Sequence, residues 1–248
     1  MSPRIVPFIF NWKGQFEKAQ QTEGLLRRVS DEVVVINSDD GNTRPGWVDL
    51  GDECYFTAQF FKALDLFDGD ILFHVQADAT YDDWQGVFDH ALRYLDAYNW
   101  GVYAPNIDFT GWQAAKVDIE SDYFREPDLR LVANTDCTCW FIHRDILTQF
   151  AKHRTLFADN KYGWGLDLTM AALSYLIQRP VIRDYGHTIV HPRGHGYDND
   201  RASYEYRVYL NSVGGELKAT LNLILRDRQG LLDLLTSTRP GPRRSALP

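Results

Sequence analysis

Residues 70–84, DILFHVQADATYDDW, hold the first decision about this chain. Ile71 to Val75 read as a buried strand that runs into Gln76, Ala77 and Asp78, after which the sequence turns acidic. Trp84, Val87, Phe88, Ala91, Leu92, Leu95 and Tyr98 then recur at a spacing that only a helix places on one side, with Asp82 as its expected N-cap. The unit is therefore strand, loop, helix, and Asp78 lies just past the carboxyl end of the strand, where open α/β sheets bind ligands. A carboxylate there can hold a divalent metal, and a metal can neutralise a diphosphate. The structural alternative is that Asp78, Asp82 and Asp83 solvate a turn and cap a helix.

The pattern repeats on both sides. Upstream, Ile5 to Phe10 form a first strand, which Pro7 should confine to an edge or make irregular because it lacks a ladder donor. A helix over 15–29, a buried strand EVVVIN over 32–37 with the polar turn SDDGN, and a helix over 55–67 stopped by Gly69 follow. Downstream, NTDCTCWFIHRDIL (134–147) reads as a strand, a basic turn and a short helix. In YGWGLDLTMAALSYLIQRPVI (162–182) a Gly-Trp-Gly turn and Asp167 precede a long apolar helix, where Asp167 also suits an N-cap. Next comes HTIVHPRGH (187–195). Its histidines fall every four residues, but Pro192 and Gly194 favour strand then loop over helix, so a His187, His191 and His195 zinc site is disfavoured. Residues 202–235 are helical in character, and the Pro- and Arg-rich stretch 236–248 is expected to be a mobile tail. Strands alternating with helices predict an α/β protein with a largely parallel sheet flanked by helices.

Composition limits the partners. A chain of 248 residues with 44% hydrophobic content can bury one sizeable core. The net charge of −8 disfavours nucleic acid and anionic membranes as partners, so an anionic ligand needs a local cluster or a metal. No apolar run approaches the roughly 20 residues of a transmembrane helix, and residues 1–13 lack the order of a signal peptide. The expected location is cytoplasmic, with peripheral contact at the inner face of a membrane as the alternative. The three cysteines, Cys54, Cys137 and Cys139, read as reduced thiols, the last two on one strand face. The oligomeric state is not legible.

The order of these pieces resembles the GT-A glycosyltransferases, in particular the inverting family-two enzymes, over about residues 5–207. The resemblance implies one domain over 1–235, with a donor half over about 1–100, an acceptor half over about 101–200 and a C-terminal helical part beyond. VVVINSDDG (33–41) resembles the strand and acidic turn that hold the nucleotide base, which implicates Asn37, Asp39 and Asp40, with Phe10 and Asn11 at the end of the first strand. VQADA (75–79) resembles the family's metal motif, with Gln76 in place of its first carboxylate, Ala77 between, and Asp78 at the second. GWGLD (163–167) resembles the acceptor turn, with Trp164 and Gly165 shaping the acceptor pocket and Asp167 at the catalytic position. IVH (189–191) resembles the strand whose histidine completes the metal shell, so His191 joins Asp78 as a ligand of Mn²⁺ or Mg²⁺. The family's upstream Arg-Asn pair is missing around Gln59 and Phe60.

The chemistry this implies needs two carboxylates: Asp167 to deprotonate an acceptor hydroxyl, and Asp78 to hold the metal on the leaving diphosphate. The expected function is inverting transfer from a nucleoside-diphosphate sugar, read as UDP-linked, to a hydroxyl on a glycan or glycolipid. Transfer to a hydroxylated nucleobase in DNA and a non-catalytic nucleotide-sugar or glycan-binding module are the alternatives. A nucleotidyltransferase would need a Gly-rich phosphate loop that the N-terminal region does not offer. Arg193, Arg201 and Arg207 are further diphosphate candidates, and Trp12, Trp112 and Trp164 stand where exposure suits sugar stacking.

Overall fold

The computed structural model describes residues 2–119, 123–192 and 197–237. Arg193, His195 and the stretch 238–248 lie outside the described residues. In chain order the elements are β1 (Ile5–Trp12), α1 (Phe16–Leu26), β2 (Val34–Ser38), β3 (Val48–Asp49), α2 (Phe56–Leu66), β4 (Ile71–Gln76), α3 (Trp84–Tyr98), β5 (Val102–Ile107) and α4 (Ala114–Val117). Then follow β6 (Leu129–Leu131), β7 (Cys139–His143), α5 (Arg144–Phe150), a 3₁₀ stretch Ala151–Phe157, α6 (Leu166–Leu176), β8 (Val181–Ile189), α7 (Asn199–Ser212), α8 (Gly215–Arg226) and α9 (Arg228–Thr236).

The strands form one sheet in the order β3-β2-β1-β4-β7-β5-β8-β6. Pairing is parallel from β3 to β4 and between β5 and β8; β7 runs antiparallel to both β4 and β5, and β6 antiparallel to β8. The sheet is mostly parallel, as the alternation of periods predicts, and mixed, as the GT-A resemblance implies. Because successive side chains of a strand point to opposite faces, each strand feeds two cores. Ile71, Phe73 and Val75 of β4 join α1 and α3 on one face. Leu72 with Phe8 and Phe10 joins α2, α5, α6, α8 and α9 on the other.

Pro7 is a correction. Its strand is central, between β2 and β4. The carbonyls of Arg4 and Phe10 face β4, accepting from Ile71 and Ala77, so by alternation Pro7 faces β2. Pairing with β2 begins only at Phe8 against Val34, so Pro7 precedes that ladder and the missing N–H interrupts none of its pairs. The first helix ends at Leu26, not 29, and α2 ends at Leu66, with Phe67 already extended, before Gly69. The cap of α3 is Asp83, whose Oδ1 accepts from Gly86 N at 3.0 Å, and not Asp82. Cys137 lies in the turn before β7, so it does not share a strand face with Cys139. The cysteines are free thiols, and burial pushes Cys137 and Cys139 well above the ordinary thiol pKa.

Candidate active site

Strand β4 ends at Gln76, whose N–H donates to Thr138 O at 2.9 Å, while Ala77 N donates to Phe10 O at 3.0 Å. The chain turns there, and Asp78 emerges at the edge of the sheet. From the other direction, β8 is carried past its last ladder pair by a two-way bridge in which Thr80 N donates to Val190 O and Val190 N to Thr80 O, at 2.9 and 3.1 Å. His191 N then donates to Asp108 Oδ1 at 2.8 Å. These contacts bring His191 Nε2 to 3.6 Å from Asp78 Oδ1, with side chains only 17% and 13% exposed.

That separation is too long for a hydrogen bond and suits two bonds of about 2.1 Å to one ion. Among the described residues, Asp78 Oδ1 and His191 Nδ1 are buried atoms with no hydrogen-bond partner. Burial lifts the Asp78 pKa above the ordinary carboxylate value, against the pull of His191 and of Lys18 on α1. A buried carboxylate oxygen without a donor, facing an imidazole, fits a divalent cation. Gln76, half-buried one turn earlier, brings no charge.

Asp167 enters from α6. The helix cap position is Gly165, in the left-handed region at φ 100°, so Asp167 occupies the first turn and is not the N-cap. Both glycines of the Gly-Trp-Gly turn are required: a Cβ on Gly163, at φ 79°, would sit 2.5 Å from the Phe56 ring, and one on Gly165 would sit 2.6 Å from the Tyr209 ring. The carboxylate is fixed on both oxygens. Oδ2 accepts from Trp112 Nε1 at 2.6 Å and Asn134 Nδ2 at 3.3 Å, and Oδ1 accepts from Leu168 N at 2.8 Å. Desolvation by burial dominates these bonds and raises the Asp167 pKa to about 6. The helix terminus does not hold it in the ordinary range, although the group remains mostly ionised at neutral pH.

The segment 134–138 joins the two carboxylates. Asn134 bonds Asp167, the charge of Asp136 helps to raise the Asp167 pKa, Asp136 Oδ1 accepts from Thr138 N at 2.8 Å, and Thr138 O receives the N–H of Gln76 at the end of β4. Around Asp167 stand Tyr206 and Tyr197, whose pKa values its charge helps to raise, and Trp164, which donates from Nε1 to Tyr197 OH at 2.9 Å. Trp112 is half-buried and anchored through its carbonyl by buried Arg183 Nη1 at 2.7 Å, whereas Trp12 closes β1 instead of standing in a turn. Arg201 is paired with Glu205 at 2.8 Å on α7.

At the ends of β1 and β2 the base-side residues meet one another. Asn37 Nδ2 reaches Asp49 Oδ1 at 2.7 Å and Asn42 O at 2.9 Å, while its Oδ1 accepts from Asn11 Nδ2 at 2.6 Å. Asp39 is buried and shapes the turn, accepting from Gly41 N at 3.1 Å and Asn42 Nδ2 at 2.9 Å. Asp40 is exposed and shares a reciprocal pair of bonds with Asp52. Phe10 packs in the core against Phe56, ring centroids 5.5 Å apart. Gln59, at the place of the missing Arg-Asn pair, is buried and ties strands together, with Nε2 2.6 Å from Asn11 O. Sequence reasoning missed Asn134 and Asp136; their only signal was the polar run NTD before an apolar strand.

No protein-family model and no curated protein matches the chain. Solved structures do. The mannosyltransferase PcManGT from Pyrobaculum calidifontis, in complex with GDP-Man and Mn²⁺, matches with TM-score 0.59 and 12% identity, covering 96% of this chain and 74% of that one. GalNAc-T7 with UDP, GalNAc and Mn²⁺ matches with TM-score 0.58 and 10% identity over 92% of this chain, which spans about half (51%) of that chain. TarS from S. aureus in complex with UDP-GlcNAc matches with TM-score 0.51 and 12% identity, over 95% and 73% of the two chains. The mixed sheet of eight strands, its flanking helices and these likenesses together give this chain the GT-A glycosyltransferase fold.

Proposed function

We propose that the chain is an inverting glycosyltransferase that moves a sugar from a nucleoside diphosphate, read as UDP, to a hydroxyl on a glycan or glycolipid. The observation that carries this reading is the pairing of a partnerless Asp78 oxygen and His191 with a second, fixed carboxylate, Asp167, across the 134–138 segment. The similar structures with GDP-Man, or with UDP or UDP-GlcNAc, support the donor class, and two of them contain Mn²⁺.

Asp78 and His191 would hold Mn²⁺ or Mg²⁺, which when bound supplies positive charge against the departing diphosphate. Asp167 accepts the proton of the acceptor hydroxyl as that oxygen bonds to the anomeric carbon and the bond to the diphosphate breaks, its electron pair leaving with the diphosphate. Trp112 and Asn134 hold the base in place from one side, which leaves it oriented before the acceptor arrives. A pKa of about 6 suits a base at neutral pH: ionised, yet more basic than an exposed aspartate. Trp164 and its tyrosine neighbours offer the flat apolar faces that sugars stack on.

Gln76 favours one competing reading, a nucleotide-sugar-binding module without turnover, because it removes a charge from the metal motif. The test is donor turnover with UDP- and GDP-sugars and Mn²⁺, with product anomers read by NMR. Transfer or hydrolysis with inverted configuration is expected. Tight binding without turnover selects the module, and retained configuration removes Asp167 as the base.

A further inference from the structure

A second cluster of ligand-type side chains stands on the other side of the sheet from α6. His90 lies on α3, and Asp184 and His187 lie on β8, which has extra residues relative to β5 between Asp184 and Thr188. His90 Nδ1 is 2.9 Å from Asp184 Oδ2 and 3.1 Å from His187 Nε2. One oxygen or nitrogen from each of the three falls within 4.8 Å of the others. Asp184 and His187 are buried, and the His90 side chain is 27% exposed, which leaves one side open to solvent.

A ring nitrogen has one in-plane position, either a proton or a lone pair, and from it His90 Nδ1 meets both Asp184 Oδ2 and His187 Nε2. Without an ion a single proton there is shared between the two, with Tyr103 OH also donating to Asp184 Oδ2. The three ligand atoms lie within 4.8 Å of one another, where a cation can take the place of that proton, and the separations are of the order set by ligands about 2.0–2.1 Å from one ion.

The groups behind the cluster are arranged as a metal site needs them. Tyr81 OH meets His187 Nδ1 at 2.9 Å, which fixes the ring and directs Nε2 at the cluster. Tyr103 OH donates to Asp184 Oδ2 at 2.6 Å, and Gly186 N to Asp184 Oδ1 at 2.8 Å, so the carboxylate is oriented on both oxygens. On α3, Gly86 admits the His187 ring, since a Cβ there would stand 3.0 Å from its Cε1.

We propose that His90, Asp184 and His187 form a zinc site, separate from the Asp78–His191 pair, in which two imidazoles and one carboxylate hold Zn²⁺ and solvent takes the fourth position. Two nitrogens and a carboxylate oxygen suit Zn²⁺ in preference to Mg²⁺, which takes oxygen ligands. The ion ties α3 to β8, the strand that delivers His191 four residues beyond His187. It therefore positions the edge of the active site without touching substrate.

The test is Zn²⁺ uptake by the full chain after chelator stripping, measured by equilibrium dialysis and elemental analysis, with X-ray absorption at the zinc edge of the wild-type protein. One Zn²⁺ per chain should bind to wild type and to Asp78→Asn alike, with imidazole scattering in the absorption spectrum. His90→Gln should weaken that binding by about 100-fold, and Tyr81→Phe by about 10-fold. Zn²⁺ should also raise the melting temperature of wild type and of Asp78→Asn, but not of His90→Gln. Failure of wild type to retain Zn²⁺, unchanged uptake by His90→Gln, or loss of the ion in Asp78→Asn alone would each overturn the proposal. If His90→Gln does not fold, the zinc-edge spectrum and the Tyr81→Phe affinity still decide it.

Discussion

Two polar clusters sit at the same edge of the sheet and are treated in opposite ways. Behind β1 and β2, Asn11, Asn37, Asp39, Asn42 and Asp49 bond to one another, and Asn37 uses both its oxygen and its nitrogen within the chain. Behind β4 and β8, Asp78 Oδ1 and His191 Nδ1 are buried with no hydrogen-bond partner among the described residues. Leaving buried polar atoms unpaired costs about 1–3 kcal/mol each, while a made bond is worth about 0.5–1.5 kcal/mol net. The first cluster is closed by bonds within the chain except at Asn11 Oδ1, which is also buried without a hydrogen-bond partner among the described residues. The second costs stability unless something from outside completes it, and that difference separates framework from site where residue type alone does not.

Asp167 belongs with neither, being both bonded and perturbed, and its removal should have the largest effect. Asp167→Asn should lower turnover by about 10²–10⁴-fold at little cost in donor affinity, read by steady-state kinetics and nucleotide titration. The amide cannot serve all three donors that now meet the carboxylate, so a melting curve on the same sample is needed to separate lost chemistry from lost packing. The pH dependence sharpens the point. The acid limb of kcat/KM should titrate near 6. Stability has its own signature. The folded pKa of about 6 lies above the ordinary 3.8, so the folded state keeps a proton that the unfolded state has released. The contribution of Asp167 is then fully present below about pH 4, declines up to about pH 6 and is flat above. Asp167→Asn should abolish that decline in urea midpoints, whatever it does to turnover.

Next in size is the contrast itself. Asp78→Asn should weaken Mn²⁺-dependent nucleotide binding by about 10–100-fold and remove the rise in melting temperature on adding Mn²⁺ with nucleotide, while the melting temperature without metal stays close to wild type. Asn37→Ala should do the reverse. It strands Asp49 Oδ1 and Asn11 Nδ2, costing about 1–3 kcal/mol in urea unfolding, with metal dependence intact in the folded fraction. If both variants lose metal-dependent binding equally, the division between framework and site fails.

The strand-loop-helix unit around Asp78 was legible because strand and helix periods are local properties of the side chains. So was the proximity of Asp78 and His191, through the resemblance alone, since no spacing in the chain links residues so far apart. Three things were hidden. The antiparallel course of β7 depends on which neighbours complete the sheet, and nothing in CWFIH records direction. Pro7 in a central strand depends on where the β2 ladder begins. The raised pKa of Asp167 arises from desolvation in the folded chain, which outweighs the hydrogen bonds from Leu168, Trp112 and Asn134, whereas its place at a helix start suggested the ordinary ionised form.

The smallest expected effects decide between Asp39 and Asp40, which the sequence sets side by side. Asp39 is buried, and both its oxygens are occupied by Gly41 N and Asn42 Nδ2, so it has little left to offer a base. Asp40 is exposed, and among the described residues its carboxylate accepts only from Asp52 N, at 3.2 Å, a duty water can take over. Asp40→Ala should therefore change stability by no more than about 0.5 kcal/mol. If its carboxylate reaches the nucleotide base, the same substitution should weaken nucleotide binding by up to about 10-fold, since one hydrogen bond to a charged group is worth about 1.5 kcal/mol. Asp39→Ala should show the opposite order, with a lowered melting temperature and affinity nearly kept. Isothermal titration and thermal unfolding on both variants read the two quantities independently. An Asp39→Ala protein that melts normally but binds nucleotide poorly would move the base contact to Asp39 and make the turn, not the rim, the recognition element.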